Sequence, residues 1–378
     1  MIRGAVGAVA VACLTGVLAC PASADPPSPA PDPILPPLAL GQVVRIGPVA
    51  GTGTPTRDYG IGATDLCEFM EFPTELLQIC GDSFAGPGVG FGGWFSPVAL
   101  HVAGDSVDDP AGVRYTGVTG VDRPLLADPA PPGSSQLPAG VVQINRQNYL
   151  LVTTTTNLVP ASSRLVKAQA GQGGWTTVPG SVRRAGYADG RQTQISGYYN
   201  PIPTGESQTG WVYVVANNFD RSGPVVLYRA TPQSFTDRSS WQGWAAGPGG
   251  GWNQPPTPLW PDRVGEMNIR EIDGKAVLSY FNASTGNMEV RVAYDPTGLG
   301  TAPVTTVVRA GEWPDPVESL PPPEDNRLAQ PYGGYISPGS TLDEVRVFVS
   351  QWNTAPRDRT PYRVIQFAVN PFKPWSEP

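Results

Sequence analysis

Histidine and charged side chains are scarce in this sequence. Its 378 residues include one histidine, His101, and only 15% of them are charged. A site that needs two or three imidazoles, such as the usual hydrolytic zinc centre, is therefore excluded. The net charge is -7 and the lysines and arginines are scattered, so we expect neither nucleic acid nor an anionic membrane as a partner. Carboxylates must carry most of any chemistry, and we expect no metal and no cofactor.

Residues that suit the interior of a helix are also in short supply. The chain has 45 glycines and 44 prolines, and both residue types destabilise helices. Hydrophobic residues make up 40% of the chain, with 10 Trp, 13 Tyr and 11 Phe, which is more apolar material than disordered chains contain. We therefore expect an all-β protein with a large core.

A hydrophobic run long enough to cross a membrane is missing. Residues 4–19 are apolar or small, they follow a short positive start, and an A-S-A cleavage signal ends at residue 24. Because a membrane span needs about 20 apolar residues, we interpret residues 1–24 as a secretory signal peptide. The alternative is a lipoprotein signal that ends at Cys20. Residues 25–39 are rich in proline and predict a stiff linker, so we expect a protein that is secreted or held at the cell envelope.

The rest of the chain repeats one pattern five times. An apolar strand, a polar or glycine-containing loop and a second strand that ends in alanine recur with a period of roughly 65 residues. The five segments are 79–103, 150–168, 212–230, 277–293 and 345–368. Another strand candidate precedes each of them, at 62–69, 139–145, 192–199, 265–272 and 332–337. This repetition predicts a five-bladed β-propeller, whereas a large β-sandwich, the alternative, needs no regular period.

The last repeat lacks room for its fourth strand. Only ten residues follow Ala368, which is too few for a strand and its connection. The sequence V-V-R-I-G at residues 43–47 is close to V-V-R-A-G at residues 307–311, where a fourth strand is expected. We therefore predict that the N-terminal strand completes the C-terminal blade and removes an exposed edge. Residues 40–378 then form one domain.

Two cysteines remain once the predicted signal peptide is removed, and each lies two residues from an aspartate. An exported protein is expected to join Cys67 to Cys80. Facing residues of an antiparallel pair have a constant sum of positions, and side chains two apart share a face. If the cysteines face each other, Asp65 therefore faces Asp82, with Cβ atoms about 4.5–5.5 Å apart.

Such a pair of carboxylates predicts acid and base chemistry. Because two negative charges this close repel each other, one carboxyl should keep its proton near neutral pH. A separation of about 5–5.5 Å is typical of a retaining glycosidase, whereas an inverting enzyme needs more room for water. The alternative is that Asp65 and Asp82 are turn residues that hydrogen-bond to nearby backbone.

Several short motifs along the chain resemble one known family. They are G-A-T-D-L-C at 62–67, G-D-S-F at 81–84, G-W-F-S-P-V-A at 93–99, G-E-M-N-I-R at 265–270 and Y-G-G-Y-I-S-P at 332–338. Together they resemble an actinobacterial family of exported five-bladed propellers, formerly a domain of unknown function. That family includes endo-D-arabinanases that cut the D-arabinan of mycobacterial arabinogalactan and lipoarabinomannan. The resemblance covers roughly residues 40–372 and implies a retaining mechanism with Asp65 and Asp82 as the catalytic residues. An arginine tends to precede the Ser-Pro pair in this family, and Phe95 stands there instead.

The repeat also predicts a ring of polar and aromatic residues around one mouth of the channel. Because the inner strands of a propeller line its axis, residues near the starts of these strands should surround Asp65. They are Gln194, Glu266, Asn268, Tyr332 and Tyr335, and Trp94 follows in the loop after Asp82. A sugar site needs carboxylates and amides for hydroxyl groups and aromatic faces for rings, so we predict that these six residues bind substrate. The alternative for Glu266 is a buried carboxylate that bridges blades, and we expect His101 to pack or orient its neighbours.

These observations lead to one predicted function and one alternative. We expect a secreted monomer that hydrolyses internal linkages of cell-wall D-arabinan with retention, with Asp82 as nucleophile and Asp65 as acid/base. The sequence leaves open whether these two roles are exchanged and whether the enzyme acts on chain ends instead. The alternative is a propeller without catalytic activity that binds an envelope glycan or a partner protein.

Overall fold

Strands account for nearly all of the regular structure. The computed structural model describes residues 37–171, 173–311, 326–354 and 360–374. Within these ranges there is no α-helix, and the 3-10 helices are short: Pro55–Tyr59, Gly104–Ser106, Tyr187–Gly190, Arg238–Ser240 and Pro296–Gly300. The predicted all-β fold is confirmed. The predicted signal peptide, Cys20 and residues 25–36 of the predicted linker lie outside the described residues.

Five groups of four strands follow one another along the chain. The first group contains Glu68–Glu71, Leu76–Cys80, Val98–Val102 and Tyr115–Thr119. The second contains Ser135–Ile144, Gln147–Thr156, Val159–Lys167 and Thr176–Thr177. The third contains Gln194–Asn200, Trp211–Asn217, Val226–Ala230 and Gln242–Ala245. The fourth contains Val264–Ile272, Lys275–Asn282, Asn287–Ala293 and Val304–Ala310. The fifth contains Pro331–Ile336, Val345–Trp352, Tyr362–Val369 and, from the start of the chain, Val43–Gly51.

Shorter strands extend these groups. Arg183–Arg184 pairs within the second group, Gly251–Trp252 within the third and Arg327–Leu328 within the fourth. A small separate sheet consists of Ala63–Thr64, Ser83–Phe84 and Trp94–Phe95. These three short strands continue the direction of the first group beyond Cys80, and the two predicted catalytic aspartates lie between the two sheets.

The predicted strand pairs are present in all five groups. The alanines that end the repeats, at positions 103, 168, 230, 293 and 368, lie within one residue of the ends of strands. The strand that precedes each pair, which we call the inner strand, begins at residue 68, 135, 194, 264 or 331. The first of these differs from the prediction, because the candidate 62–69 is interrupted at residues 65–67. Leu66 has a positive φ of 50°, which no regular strand accommodates.

The N-terminal strand pairs with the last strand of the chain. Val43–Gly51 lies antiparallel to Tyr362–Val369, from the pair Val43 and Val369 to the pair Gly51 and Arg363. The predicted pairing of residues 43–47 beside the C-terminal group is therefore confirmed. Without this pairing, the edge of Tyr362–Val369 that faces away from Val345–Trp352 would present unpaired backbone groups to solvent.

Buried apolar side chains fill the space between neighbouring groups. One hydrophobic cluster joins the first group to the second, and others join the second to the third, the third to the fourth and the fourth to the fifth. A further cluster joins the fifth group to the first, where the rings of Phe69 and Phe348 meet edge to face at 4.8 Å. Inner strands of consecutive groups also contact each other, including those of the fifth and first groups. Each inner strand therefore contacts the inner strands of its neighbouring groups.

None of the helices in the described ranges is both long enough and apolar enough to cross a membrane.

Candidate functional site

A pocket of about 860 Å³ opens where the small sheet meets the inner strands. Its carboxyl and guanidinium groups belong to Asp65, Asp82, Asp220, Glu266 and Arg221. Its aromatic walls are Phe84, Phe219, Phe281, Tyr332, Trp352 and Tyr362. Its aliphatic lining includes Leu66, Val89, Leu137 and Leu158. The pocket therefore combines several ionisable groups with ring surfaces, the combination expected of a site for a sugar.

The predicted register around the disulfide is confirmed. Thr64 pairs with Ser83 on one side, Glu68 pairs with Ile79 on the other, and both pairs have the same sum of positions. A disulfide joins Cys67 to Cys80 between them. The same sum would place Asp65 opposite Asp82, and both residues line the pocket. The backbone between the two sheets is irregular rather than a continuous strand, because Leu66 turns out of the extended conformation.

Asp65 is buried at the base of the pocket. The residue is only 6% exposed, and its Oδ2 accepts a hydrogen bond of 2.7 Å from the hydroxyl of Tyr332. Burial and, next, the charge of Asp82 raise the pKa of Asp65 to about 8, while the nearby hydroxyls of Tyr362 and Tyr332 act in the opposite direction. A neutral carboxylic acid at this position can donate a proton at neutral pH.

Space around the Asp65 carboxyl group requires a glycine in the facing strand. A Cβ atom at Gly81 would lie 2.7 Å from Oδ1 of Asp65, which is closer than real Cβ atoms come to oxygen. The amide of Gly81 also donates a hydrogen bond of 2.9 Å to the backbone oxygen of Asp65. The G-D-S-F motif thus brings the backbone of one strand against the carboxyl group of the other.

Asp82 lies nearer to solvent than Asp65. Its Oδ1 accepts a hydrogen bond of 2.9 Å from Nε1 of Trp94. Burial raises the pKa of Asp82, and hydrogen bonds from Trp94 and Ser96 oppose that effect. Trp94 does not itself line the pocket, but it is 48% exposed and its indole nitrogen contacts Asp82, which does line it.

Glu266 is the third carboxylate of the pocket, and it forms an ion pair. Its Oε1 lies 2.6 Å from one terminal nitrogen of Arg221 and 3.1 Å from Nε of the same guanidinium. Its Oε2 accepts a long hydrogen bond of 3.4 Å from the amide of Gly333. The carboxylate therefore contacts a turn within the third group and the inner strand of the fifth group. The two interpretations of Glu266, a pocket residue and a bridge between groups, both describe its position.

Three of the residues predicted to surround Asp65 do not line the pocket. The side chain of Asn268 is used between inner strands, where Nδ2 donates to Glu68 at 2.7 Å and Oδ1 accepts from the amide of Ile336 at 2.9 Å. Tyr335 is buried in the hydrophobic cluster that also contains Tyr332 and Tyr362. Gln194 is buried opposite Asn217.

Two other predictions concern Tyr332 and His101. Tyr332 lines the pocket and contacts Asp65, as described above. His101 lies outside the pocket, with Nδ1 at 3.1 Å from Glu75 and Nε2 at 2.9 Å from Oγ1 of Thr119. Its two nitrogens are therefore occupied by local contacts, in accord with an orienting residue.

Several pocket residues were missed by reasoning from the sequence. Arg221 lies in the loop of the repeat segment 212–230, where a single arginine carries no signal, and its partner Glu266 is 45 residues away in the chain. Phe281, Trp352 and Tyr362 belong to second or third strands of their groups, whereas the predicted ring of residues came from inner strands alone. The one available signal was the start of the strand Tyr362–Val369, an aromatic residue at the same end of the groups as Tyr332.

No cluster of three or more histidine, cysteine, aspartate or glutamate side chains suited to a metal ion occurs within the described ranges.

Comparison with known proteins identifies relatives of the chain. It is 74% identical over 333 residues to the "Uncharacterized 35.9 kDa protein in asd 3' region" of Mycolicibacterium smegmatis, covering 88% of this chain and 100% of that protein. A solved structure from Bacteroides ovatus has a TM-score of 0.53 at 15% identity, over 83% of this chain and 87% of the other. The catalytic domain of a Coprinopsis cinerea GH62 α-L-arabinofuranosidase has a TM-score of 0.48 at 10% identity, over 87% and 98%. The "Domain of unknown function (DUF4185)" matches residues 50–368, and the chain belongs to this family.

Proposed function

We propose that this protein is a secreted, retaining glycoside hydrolase that cleaves internal linkages of cell-wall D-arabinan. The observation that carries the proposal is the meeting of Asp65 and Asp82 in one large pocket, with the pKa of Asp65 raised to about 8. A carboxylic acid beside a more exposed carboxylate is the pair that a retaining glycosidase needs. The resemblance of the motifs around both residues to arabinanase sequences supports the choice of substrate.

The two aspartates divide the chemistry between them. Ionised Asp82 attacks the anomeric carbon and forms a glycosyl ester, while Asp65 transfers its proton to the oxygen of the leaving sugar as the glycosidic bond breaks. Asp65, now ionised, takes a proton from water, whose oxygen attacks the anomeric carbon and releases the carboxylate of Asp82. Two inversions at the same carbon give net retention, and Asp65 regains its proton.

The remaining pocket residues suit the binding of a sugar chain. Glu266 pairs with Arg221 through Oε1 and offers Oε2 to a sugar hydroxyl. The rings of Phe281 and Trp352 offer apolar faces, and the exposed ring of Trp94 extends this surface past Asp82. We assign Glu266, Tyr332 and Trp94 to substrate binding, while Gln194, Asn268 and Tyr335 support the inner strands.

Export and a closed propeller are part of the same proposal. The Cys67–Cys80 disulfide is of a kind that persists in oxidising compartments, and this supports secretion through the predicted signal peptide. The five groups of strands, with clusters joining each to the next and the fifth to the first, support a five-bladed ring. A β-sandwich would give two facing sheets instead.

The test is to incubate the purified protein with D-arabinan between pH 4 and 8 and to separate the released oligosaccharides. The configuration of the new anomeric centre is followed by NMR before mutarotation. Asp65→Asn and Asp82→Asn should remove activity, while Asp58→Asn, an exposed carboxylate outside the pocket, should retain it. Absence of products from arabinan and from short arabinofuranosides would refute the proposed hydrolase activity. Glycan binding without hydrolysis would then favour the binding propeller, and products of inverted configuration would refute the roles of the two aspartates.

A further inference from the structure

Arg221 occupies an unusual position beside the pocket. It lies in the turn that follows the strand Trp211–Asn217, and its φ of 61° is in the left-handed region. A residue with a Cβ atom rarely adopts this conformation, and where it does the surrounding structure must hold it there. The amide of Arg221 donates a hydrogen bond of 3.0 Å to the backbone oxygen of Asn218, which closes the turn. The turn thus directs a long cationic side chain toward the inner strands.

The guanidinium of Arg221 is fixed on several sides. It donates two hydrogen bonds to Oε1 of Glu266, and its central carbon lies 5.1 Å from the ring centre of Phe281 and 5.1 Å from that of Tyr332. A Cβ atom at Gly265 would lie 2.8 Å from Phe281 and 3.0 Å from Cγ of Arg221. The inner strand therefore needs glycine at this position to leave room for the arginine.

The ring of Tyr332 connects Arg221 to Asp65. Tyr332 lies under the guanidinium and donates from its hydroxyl to Asp65. The charged and titratable groups around Asp65 are Asp82, Glu266, Tyr332, Tyr335, Tyr362 and Arg221. Both neighbouring carboxylates favour the protonated form of Asp65, and the cation opposes them. Arg221 is thus placed to set how strongly the acid holds its proton.

We propose that Arg221 is a positioning residue that holds Glu266 and the ring of Tyr332 in place and balances the negative charge around Asp65. The proposal rests on the proposed function, because it gives Arg221 a part in the acid step of glycoside hydrolysis. Arg221 acts through Glu266 and Tyr332, so that loss of the cation changes the proton affinity of Asp65 as well as the shape of the pocket wall.

A second arginine in the chain provides a matched control. Arg229 lies 3.8 Å from the ring centre of Trp211 and 4.6 Å from that of Trp252, and it pairs with Glu206 at 2.7 Å. Like Arg221 it contacts two aromatic rings and one glutamate, although Glu206 is exposed and Arg229 also donates to Gln242, and it does not line the pocket. If such an arrangement only stabilised the fold, replacing either arginine should have the same effect on the titration of Asp65.

The experiment follows the titration of Asp65 directly, in protein labelled with carbon-13 at the aspartate carboxyl groups. The Asp65 signal is identified by its loss in Asp65→Asn. Arg221→Met should raise the titration midpoint by about one pH unit, because a neighbouring opposite charge shifts a carboxyl pKa by about one unit or more. Glu266→Gln should lower it. The double variant should lie between the two, and Arg221→Lys should stay nearer to the parent than Arg221→Met.

The same variants are assayed on D-arabinan, where the alkaline limb of kcat/KM should move in the same direction as the midpoint. Equal shifts in Arg221→Met and Arg229→Met, or no shift in Arg221→Met and Glu266→Gln, would overturn the role of Arg221. If Arg221→Met fails to fold, the sign of the shift in Glu266→Gln and the result for Arg221→Lys decide the question. A protein that shows the expected shifts but no hydrolysis would refute the proposed function and leave the electrostatic role of Arg221 standing.

Discussion

Replacing Asp65 by asparagine should stabilise the protein at neutral and alkaline pH while it removes the proposed activity. In the unfolded chain this carboxyl group titrates near its ordinary pKa of 3.8, whereas burial and the charge of Asp82 raise the folded pKa to about 8. Between these values the folded protein holds a proton that the unfolded chain has lost. The free energy of unfolding therefore decreases with rising pH, by at most about 1.4 kcal/mol per pH unit.

The size of the effect follows from the same two values. A difference of about 4 pH units corresponds to an upper bound of about 6 kcal/mol at pH 8 and above. Asparagine does not titrate, so its advantage over aspartate should be near zero at pH 4 and should grow steadily up to pH 8. It keeps an oxygen that can accept the hydrogen bond from Tyr332, so that little packing is lost.

Urea unfolding of the parent and of Asp65→Asn at each pH from 4 to 9 measures this difference. Asp58→Asn serves as the control, because Asp58 is an exposed partner of Arg57 in the first 3-10 helix and should give a curve parallel to the parent. A constant difference between the parent and Asp65→Asn across the pH range would refute the reasoning. It would mean that Asp65 is ionised in the folded protein and cannot serve as the acid.

Three further predictions concern the same pair of aspartates. The pH profile of kcat/KM should be bell-shaped, with an alkaline limb near pH 8 set by Asp65, and an enzyme fully active above pH 9 would contradict this. The Cys67→Ser, Cys80→Ser double variant should lose about 3 kcal/mol of stability but a larger share of turnover, since misplacing catalytic groups by about 1 Å can cost roughly a hundredfold in rate. Full turnover at low temperature together with a greatly lowered melting temperature would show that the disulfide stabilises the fold but does not align the two aspartates. Trp94→Phe should keep a ring beside the pocket but remove the hydrogen bond to Asp82 and reduce kcat by about tenfold, and an unchanged kcat would leave the tryptophan a binding role alone.

The features that were predictable from the sequence are those with local or periodic causes. The strand pairs ending in alanine repeat because each group is built alike, and the pairing of residues 43–47 followed from the missing last strand. The register around Cys67 and Cys80 was predictable because strand geometry fixes which residues face each other. Periodicity and spacing suffice for these features, since each depends on neighbours in the chain.

Other features of the site have causes that a pattern does not record. Arg221 reaches Glu266 from a turn, through a left-handed backbone conformation that a non-glycine residue rarely adopts. Tyr335 lies near Asp65 as expected, but its ring is buried in the cluster with Tyr332 and does not line the pocket. Asn268 was predicted to bind substrate because an amide can bind a sugar hydroxyl, yet its amide group forms hydrogen bonds to residues of neighbouring inner strands. A polar side chain on an inner strand can bind substrate or link two strands, and only its hydrogen-bond partners distinguish these roles.

The pairing of Val43–Gly51 with Tyr362–Val369 affects how the protein folds during and after its synthesis. The two strands are separated by more than three hundred residues, so during synthesis the first strand has no partner until nearly the whole chain has been made. Until then its backbone groups and those of the last strand are open edges, which are able to pair with other chains. Two copies at high concentration can satisfy both edges by exchanging their N-terminal strands, which is the route to a domain-swapped dimer. Dilution before refolding favours the monomer, because pairing within one chain does not depend on concentration.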